Sequence, residues 1–160
     1  MTLSVSSAFD GGNIEVVAID GDRVDLNIRK DNESDFYQWF YFRVTGAAGR
    51  NLELRLLNCA GAAYPHGWER YRGCMSADRE EWTRIDTSYE GGVLTMRGTP
   101  ALDSVWVAYF APYTMERHHD LVVEVAAEPG VEYRSLGQTL DGQELDYFRF
   151  PGGPLQVWLY

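Results

Sequence analysis

The sequence is poor in positive charge and in cysteine, and it contains no long apolar run. Fourteen Lys and Arg residues, of which Lys30 is the only lysine, stand against 24 Asp and Glu residues, so the net charge is −10. A surface of this sign repels phosphate groups, so we expect no nucleic acid and no anionic membrane as a partner. No stretch approaches the roughly 20 apolar residues that a membrane-spanning helix needs. The first residues lack the basic and apolar regions of a signal peptide, so we expect a cytoplasmic protein.

The two cysteines, Cys59 and Cys74, are too few for a disulfide framework in a chain of 160 residues. We expect both thiols to be reduced, although a pairing across neighbouring strands stays open. Hydrophobic residues make up 45% of the chain and aromatic residues 14%, which is enough to bury a core without covalent or metal cross-links.

Short apolar runs separated by turn residues fill the chain up to residue 112. Apolar residues alternate along most of these runs, which is typical of strands joined by turns. The run FYQWFYFRV has aromatic residues on both faces, which predicts a central strand covered on both sides. We therefore predict a mainly β fold, an antiparallel β-sandwich over residues 1–112, with long irregular loops over 58–89. The predicted strands span residues 14–19, 24–28, 36–44, 52–58, 93–97 and 104–110.

The pattern changes after residue 112. Met115, His118 and Val125 recur at helical spacing, which predicts a helix over 114–127. Thr114 can cap its first turn, and Pro129 ends it. Further strands are predicted at 131–136, 144–150 and 155–160. Residues 113–160 thus form a second region, with one helix followed by strands.

One hypothesis for chemistry in this chain is a zinc site. His66 and Glu69 have the H-x-x-E spacing that supplies two zinc ligands from one turn. His118 or His119 would be the third ligand, and Glu116 the general base. The alternative is a chance match in a Gly- and Pro-rich loop, which we favour because a pattern that fixes two positions has low specificity. Since neighbouring residues on a helix point about 100° apart, we expect one of the two adjacent histidines to face the core and the other the solvent.

The aromatic residues suggest a second hypothesis, a platform on which sugar rings stack. The alternative is that most of these rings fill the sandwich core, which we favour because many of them alternate with other apolar positions. The candidates for the platform are Trp39, Tyr41, Trp68, Tyr71, Trp82, Trp106 and Tyr109.

Several segments, taken in order along the chain, resemble one known family. They are FDGGNIEV at 9–16, QWFYFRV at 38–44, LN at 57–58, YPHGW at 64–68 and YFAPYT at 109–114. Together they resemble the cytosolic carboxypeptidases, zinc metallocarboxypeptidases that are related to the tubulin-deglutamylating enzymes and have bacterial members. The resemblance covers essentially the whole chain.

The resemblance implies an N-terminal antiparallel β-sandwich, residues 1–112, followed by the opening helix and strands of an α/β carboxypeptidase domain, residues 113–160. It places the zinc motif, the later histidine ligand and the catalytic glutamate beyond Tyr160. No catalytic, cofactor-binding or metal-binding residue is therefore carried over to this chain, and zinc is expected only in the parent enzyme. It also implies that His66 and Glu69, which fall inside the sandwich, are not the family's zinc motif.

The expected function is the N-terminal domain of a zinc carboxypeptidase that removes C-terminal residues from peptides or proteins. We expect this domain to have a structural or docking role and to be inactive alone. Its expected partners are its own catalytic domain, the peptide or protein substrate of the parent, and further copies of itself through exposed strands. The alternative function is a stand-alone β-sandwich module that binds carbohydrate or peptide.

Overall fold

The computed structural model describes residues 2–152, so the strand predicted at 155–160 lies outside the described residues. Within this range the chain forms twelve strands, one α-helix and two short 3₁₀ turns at Cys59–Gly61 and Pro65–Trp68. The strands are β1 (Ser4–Ser6), β2 (Glu15–Asp20), β3 (Arg23–Asn27), β4 (Tyr41–Thr45), β5 (Leu52–Leu56), β6 (Cys74–Ser76), β7 (Thr83–Arg84), β8 (Asp86–Glu90), β9 (Val93–Gly98), β10 (Ser104–Ala108), β11 (Glu132–Gln138) and β12 (Glu144–Arg149), and the helix is α1 (Met115–Ala126).

The chain divides after Pro112 into two compact units. The first unit contains two five-stranded sheets. The first sheet has the strand order β1-β4-β10-β6-β7, and the second sheet has the order β2-β3-β5-β9-β8. Paired strands run antiparallel, except for β3 and β5, which run parallel. The mainly β fold predicted from the sequence is confirmed.

The core of the first unit lies between the inner faces of the two sheets. Val24 and Leu26 of β3 are fully buried, whereas Asp25 between them points to the other face. This alternation follows from the two-residue period of a strand. From the first sheet, Phe42 and Val44 join the same apolar cluster, which also buries Trp68 from the second 3₁₀ turn.

The hairpin of β2 and β3 forms where Asp20-Gly21-Asp22 predicted a tight turn. Gly21 has a φ of 61°, a left-handed conformation that an L-residue with a side chain rarely adopts. A register shift between Val16 and Ala18 marks a bulge in β2, an edge strand of the second sheet. A bulge on an edge strand hinders pairing with another chain.

The central strand β4 begins at Tyr41, five residues later than predicted. The carbonyl of Tyr37 accepts a hydrogen bond from the Ala63 amide (2.8 Å), and that of Trp39 accepts one from the Asn13 side chain (2.9 Å). The carbonyls of Tyr37 and Trp39 therefore bond to a loop and a side chain instead of a neighbouring strand.

From Tyr41 onwards β4 pairs with β1 and β10. Its inner face, with Phe42 and Val44, is buried, whereas on the outward face only Tyr41 is buried and Arg43 is exposed, so the predicted cover on both sides is wrong for this part of the strand.

The segment 58–89, predicted to consist of irregular loops, contains three strands in the structure. β6 and β7 have three and two residues, which is shorter than an alternating pattern needs to be recognised. β8, with the sequence DTSYE, is an edge strand that lacks a continuous apolar face. These three strands are recognised by their pairing with neighbouring strands. Their sequences lack the hydrophobic alternation from which a strand could be predicted.

The second unit contains α1 and the hairpin of β11 and β12. Thr114 caps α1 as predicted, because its hydroxyl oxygen accepts a hydrogen bond from the Arg117 amide (3.5 Å). The helix ends before Pro129, and the hairpin follows at nearly the predicted positions. None of the helices formed by residues 2–152 is long and apolar enough to cross a membrane.

Candidate functional site

The proposed zinc ligands are divided between the two units of the chain. His66 and Glu69 are exposed at the second 3₁₀ turn of the first unit, whereas His118 and His119 belong to α1 in the second unit. Over residues 2–152, no group of three or more His, Cys, Asp or Glu side chains is arranged to hold a metal ion. His118 is half-buried and its Nε2 lies 2.6 Å from Asp146 Oδ2, while His119 is exposed. The exposed histidine agrees with the expectation, but His118 contacts a carboxylate and is not buried in a core.

The aromatic residues proposed as a stacking platform lie on opposite sides of the first sheet. Trp68 is fully buried between the sheets, and its indole nitrogen donates to the Cys59 carbonyl (3.0 Å). Tyr71 and Tyr109 stack on each other beside it, with ring centroids 4.9 Å apart. Trp39 and Trp82, both half-buried, lie on the other side. The seven rings therefore do not form one platform.

The outward side of the first sheet carries a second group of rings, which we call the outer aromatic cluster. Its centre is Tyr41, which is 1% exposed although it points away from the main core. The rings of Phe9, Trp39 and Trp82 cover it, with centroids 4.9, 6.2 and 6.0 Å from that of Tyr41. Phe110 extends the cluster, because its ring lies 5.0 Å from that of Trp39 and is half exposed.

Backbone carbonyls fix the two tryptophans of this cluster. The indole nitrogen of Trp39 donates to the Gly11 carbonyl (2.8 Å), and that of Trp82 donates to the Arg79 carbonyl (3.1 Å). A ring held by such a bond loses little conformational freedom when a partner covers it. The outer aromatic cluster is therefore a pre-ordered, partly exposed apolar surface.

The charges on this outward face differ from those of the chain as a whole. The register places Arg43, Trp106 and Ser76 side by side on β4, β10 and β6. Among the strand positions of the first sheet that the structure describes, none on this face is a carboxylate, although the chain carries a net charge of −10. These positions are Ser4, Ser6, Tyr41, Arg43, Thr45, Cys74, Ser76, Arg84, Ser104, Trp106 and Ala108.

One acidic residue close to these strand positions in sequence, Asp78, is held by its own loop, whereas Asp103, which directly precedes β10, is exposed. Asp78 follows β6, and its Oδ1 accepts hydrogen bonds from the amides of Glu80 and Glu81, each at 2.9 Å. These two bonds, and a third from the Ser76 hydroxyl, lower the pKa of the Asp78 carboxyl. The Asp78 carboxylate therefore stabilises the turn that follows β6.

The outward face of the second sheet shows the opposite pattern. Arg55 lies 3.3 Å from Asp25, and Arg97 lies 3.1 Å from Glu53. Such paired charges on neighbouring strands are typical of a solvated surface. The aromatic rings and the lack of outward carboxylates distinguish the first sheet, and protein interfaces are enriched in aromatic residues and arginine and depleted of Asp and Glu. We call the outward side of the first sheet, with Arg43, Trp106 and the outer aromatic cluster, the candidate interface.

The sequence contained only part of the signal for this interface. The aromatic residues were identified, but Arg43 was not, because its proximity to Trp106 depends on the register between two strands about 60 residues apart. The contact of His118 with Asp146 was missed for the same reason, since α1 and β12 are brought together only by the fold.

The cysteines are unsuited to nucleophilic chemistry. Both are free and buried. Burial raises the pKa of the Cys59 thiol to about 12 and also raises the pKa of Cys74. Because the thiolate is the reactive form, both groups are inert in the folded protein near neutral pH.

Comparison with known proteins places the chain at one end of longer relatives. The family model described as cytosolic carboxypeptidase N-terminal domain matches residues 5–110. An uncharacterized protein from Zymomonas mobilis is 51% identical over 159 residues, which is 99% of this chain and 42% of that protein.

Two solved structures are also similar. A metallo-carboxypeptidase from Burkholderia cenocepacia is 42% identical, with a TM-score of 0.88 over 92% of this chain and 39% of its own. A metallo-carboxypeptidase from Pseudomonas aeruginosa, in complex with (2-guanidinoethylmercapto)succinic acid, is 35% identical, with a TM-score of 0.88 over 94% of this chain and 41% of its own. The chain spans about two fifths of the length of these relatives. These matches disfavour the stand-alone binding module.

Proposed function

Since this chain belongs to the cytosolic carboxypeptidase N-terminal domain family, we propose that it serves a zinc enzyme that removes C-terminal residues from peptides or proteins in the cytosol. The match of residues 5–110 to that family carries the proposal. The ligand of the Pseudomonas relative contains a succinic acid group, and its carboxylates suit an enzyme that recognises a chain terminus. The cytosolic location rests on the family.

The proposed reaction belongs to the parent enzyme, and we assign none of its steps to the residues described here. Zinc would supply an activated water and polarise the scissile carbonyl in that enzyme. The side chains of residues 2–152 do not fit such an ion, because no three of their potential ligands lie together. We therefore expect the 160-residue chain alone to have no peptidase activity.

The proposed role of the β-sandwich is to dock on the catalytic domain of the parent through the candidate interface. The relatives are more than twice as long as this chain, so a large part of the parent can contact the sandwich. The paired charges of the second sheet are satisfied within that sheet, whereas the first sheet presents Arg43 and half-buried rings outward. Covering these rings would remove apolar surface from water, which favours association.

The activity is tested by comparing the 160-residue chain with the complete parent protein. Both are incubated with peptides that have a free C-terminus, and the released amino acids are quantified with and without a zinc chelator. We expect release by the parent only, and its loss on chelation. Peptidase activity of the short chain, or a chelator-insensitive parent, would contradict the proposal.

The docking role is tested separately in the complete parent. Replacing Arg43 and Trp106 by alanine should split a single calorimetric unfolding transition into two and expose the segment between the domains to protease. Arg23→Ala is the matched control, because Arg23 is a half-exposed arginine on the second sheet. If the Arg43/Trp106 variant unfolds like the control, docking through this face is wrong even if the enzyme is active.

A further inference from the structure

The second unit contains a polar network that links its helix to its hairpin. Asp146 of β12 accepts a hydrogen bond from the Tyr133 hydroxyl (2.7 Å) through Oδ1, and its Oδ2 lies 2.6 Å from His118 Nε2. The Asp146 side chain is only 6% exposed, so this carboxylate is largely shielded from water. We propose that Asp146 is a latch that fastens the hairpin of β11 and β12 onto α1, with His118 and Tyr133 as its two holding groups.

Apolar packing contributes little to this attachment. No residue of α1 is buried, and Val123 on the helix is 70% exposed. Leu136 and Leu145 of the hairpin are exposed as well. Because the hydrophobic contribution scales with the apolar area removed from water, the helix gains little from it. Hydrogen bonds to a shielded carboxylate are stronger than those between neutral groups, so the network has a large share in holding the two elements.

The groups that face the latch come from all three elements. From α1, His118 contacts the carboxylate, and the ring of His119 lies 6.2 Å from that of His118. From β11, Tyr133 donates to Asp146, and its hydroxyl also lies 3.4 Å from Glu144 at the start of β12. In this set the two histidines and the tyrosine favour the charged form of Asp146.

This arrangement makes the latch sensitive to acid. The hydrogen bond from Tyr133, followed by that from His118, lowers the pKa of Asp146 below its ordinary value of 3.8. A carboxyl whose pKa is lower in the folded state stabilises that state above the unfolded pKa, and the contribution is lost as the pH falls through the folded pKa. The latch should therefore hold at neutral pH and weaken as the pH falls below 3.8, the ordinary pKa of an aspartate.

Amide hydrogen exchange on the 160-residue chain tests the latch, and it does not depend on any enzyme activity. In Asp146→Ala, the amides of α1 and of residues 144–149 should exchange about tenfold faster or more, because local opening becomes easier. Asp120→Ala is the matched control, since Asp120 is an exposed carboxylate on α1. The amides of the β-sandwich should not change in either variant.

A second measurement keeps the test decisive if Asp146→Ala loses the hairpin altogether. Tyr133→Phe removes one of the two bonds to Asp146 and should raise the pKa of this carboxyl, measured by NMR at the carboxyl carbon. The amides of α1 and of residues 144–149 should exchange faster than in the unmodified chain but more slowly than in Asp146→Ala. The latch is supported if Asp146→Ala loses protection from hydrogen exchange in the second unit only. Equal exchange in Asp146→Ala and Asp120→Ala, or an Asp146 titration that Tyr133→Phe does not shift, would overturn it.

Discussion

Replacing Asn13 by alanine removes the side chain that joins three segments of the first unit. The Asn13 amide nitrogen donates to the carbonyls of Arg29 (3.0 Å) and Trp39 (2.9 Å), and its oxygen accepts from Arg29 Nε (3.2 Å). Its backbone also bonds to Tyr41 in both directions, and alanine keeps those two bonds. The variant thus isolates the three side-chain bonds.

The expected loss follows from the surroundings of these bonds. A typical hydrogen bond contributes about 0.5–1.5 kcal/mol net, with lower values where water can replace the lost partner. One of the three bonds is partly buried and two are exposed. We therefore expect the free energy of unfolding of the first unit to fall by about 2–3 kcal/mol. For a unit of this size, that corresponds to a decrease in melting temperature of about 10 °C.

Urea unfolding followed by tryptophan fluorescence measures this loss in the first unit. Trp39, Trp68, Trp82 and Trp106, four of the five tryptophans, lie within residues 1–112. The control is Asn51→Ala, because Asn51 is exposed and accepts a single side-chain bond, from Thr99 (2.8 Å). Its expected loss is below about 0.5 kcal/mol. If both variants unfold at the same urea concentration, the assigned role of Asn13 is wrong.

Three further outcomes follow from burial and exposure. Trp68→Ala should cost the first unit about 3–5 kcal/mol in urea unfolding, since it empties a fully buried site, and an unchanged midpoint would refute this. Cys59 and Cys74 should react with a thiol reagent at pH 8 only when the protein unfolds, because burial raises both pKa values, so rapid labelling of the folded protein would contradict the assignment. Val123 and Leu136 are 70% and 66% exposed, so the chain should self-associate, with a molar mass by light scattering that rises with concentration. Replacing both residues by lysine should weaken this association, and a monomer at every concentration of the unmodified chain would disprove it.

The elements predicted from the sequence are those specified by local signals. The Asp20-Gly21 turn, the alternation of Val24 and Leu26, and the Thr114 cap all act within a few residues, and the structure contains each of them. Such signals are legible without knowledge of the fold, because turns, strand alternation and caps depend on neighbouring residues only. The mainly β class was predictable for the same reason.

The features that the sequence did not reveal depend on contacts between distant segments. The late start of β4 results from Asn13 and Ala63, which take the carbonyls that a strand partner would use. The candidate interface depends on the register that sets Trp106 beside Arg43. No local pattern encodes a register between segments about 60 residues apart, so such a surface becomes visible only when the sheet has formed.

The segment FDGGN, one of those that resemble the carboxypeptidase family, serves the fold in this structure. Phe9 packs on Tyr41, and a side chain on Gly12 would meet the Ser7 carbonyl oxygen at 2.1 Å. Asn13 joins three segments, as argued above. Because the contacts of these groups lie within the fold, we expect Asn13→Ala in the complete parent to lower the temperature of inactivation while leaving kcat and KM unchanged where the enzyme is folded. A loss of kcat at low temperature with an unchanged melting temperature would instead give this segment a direct part in catalysis.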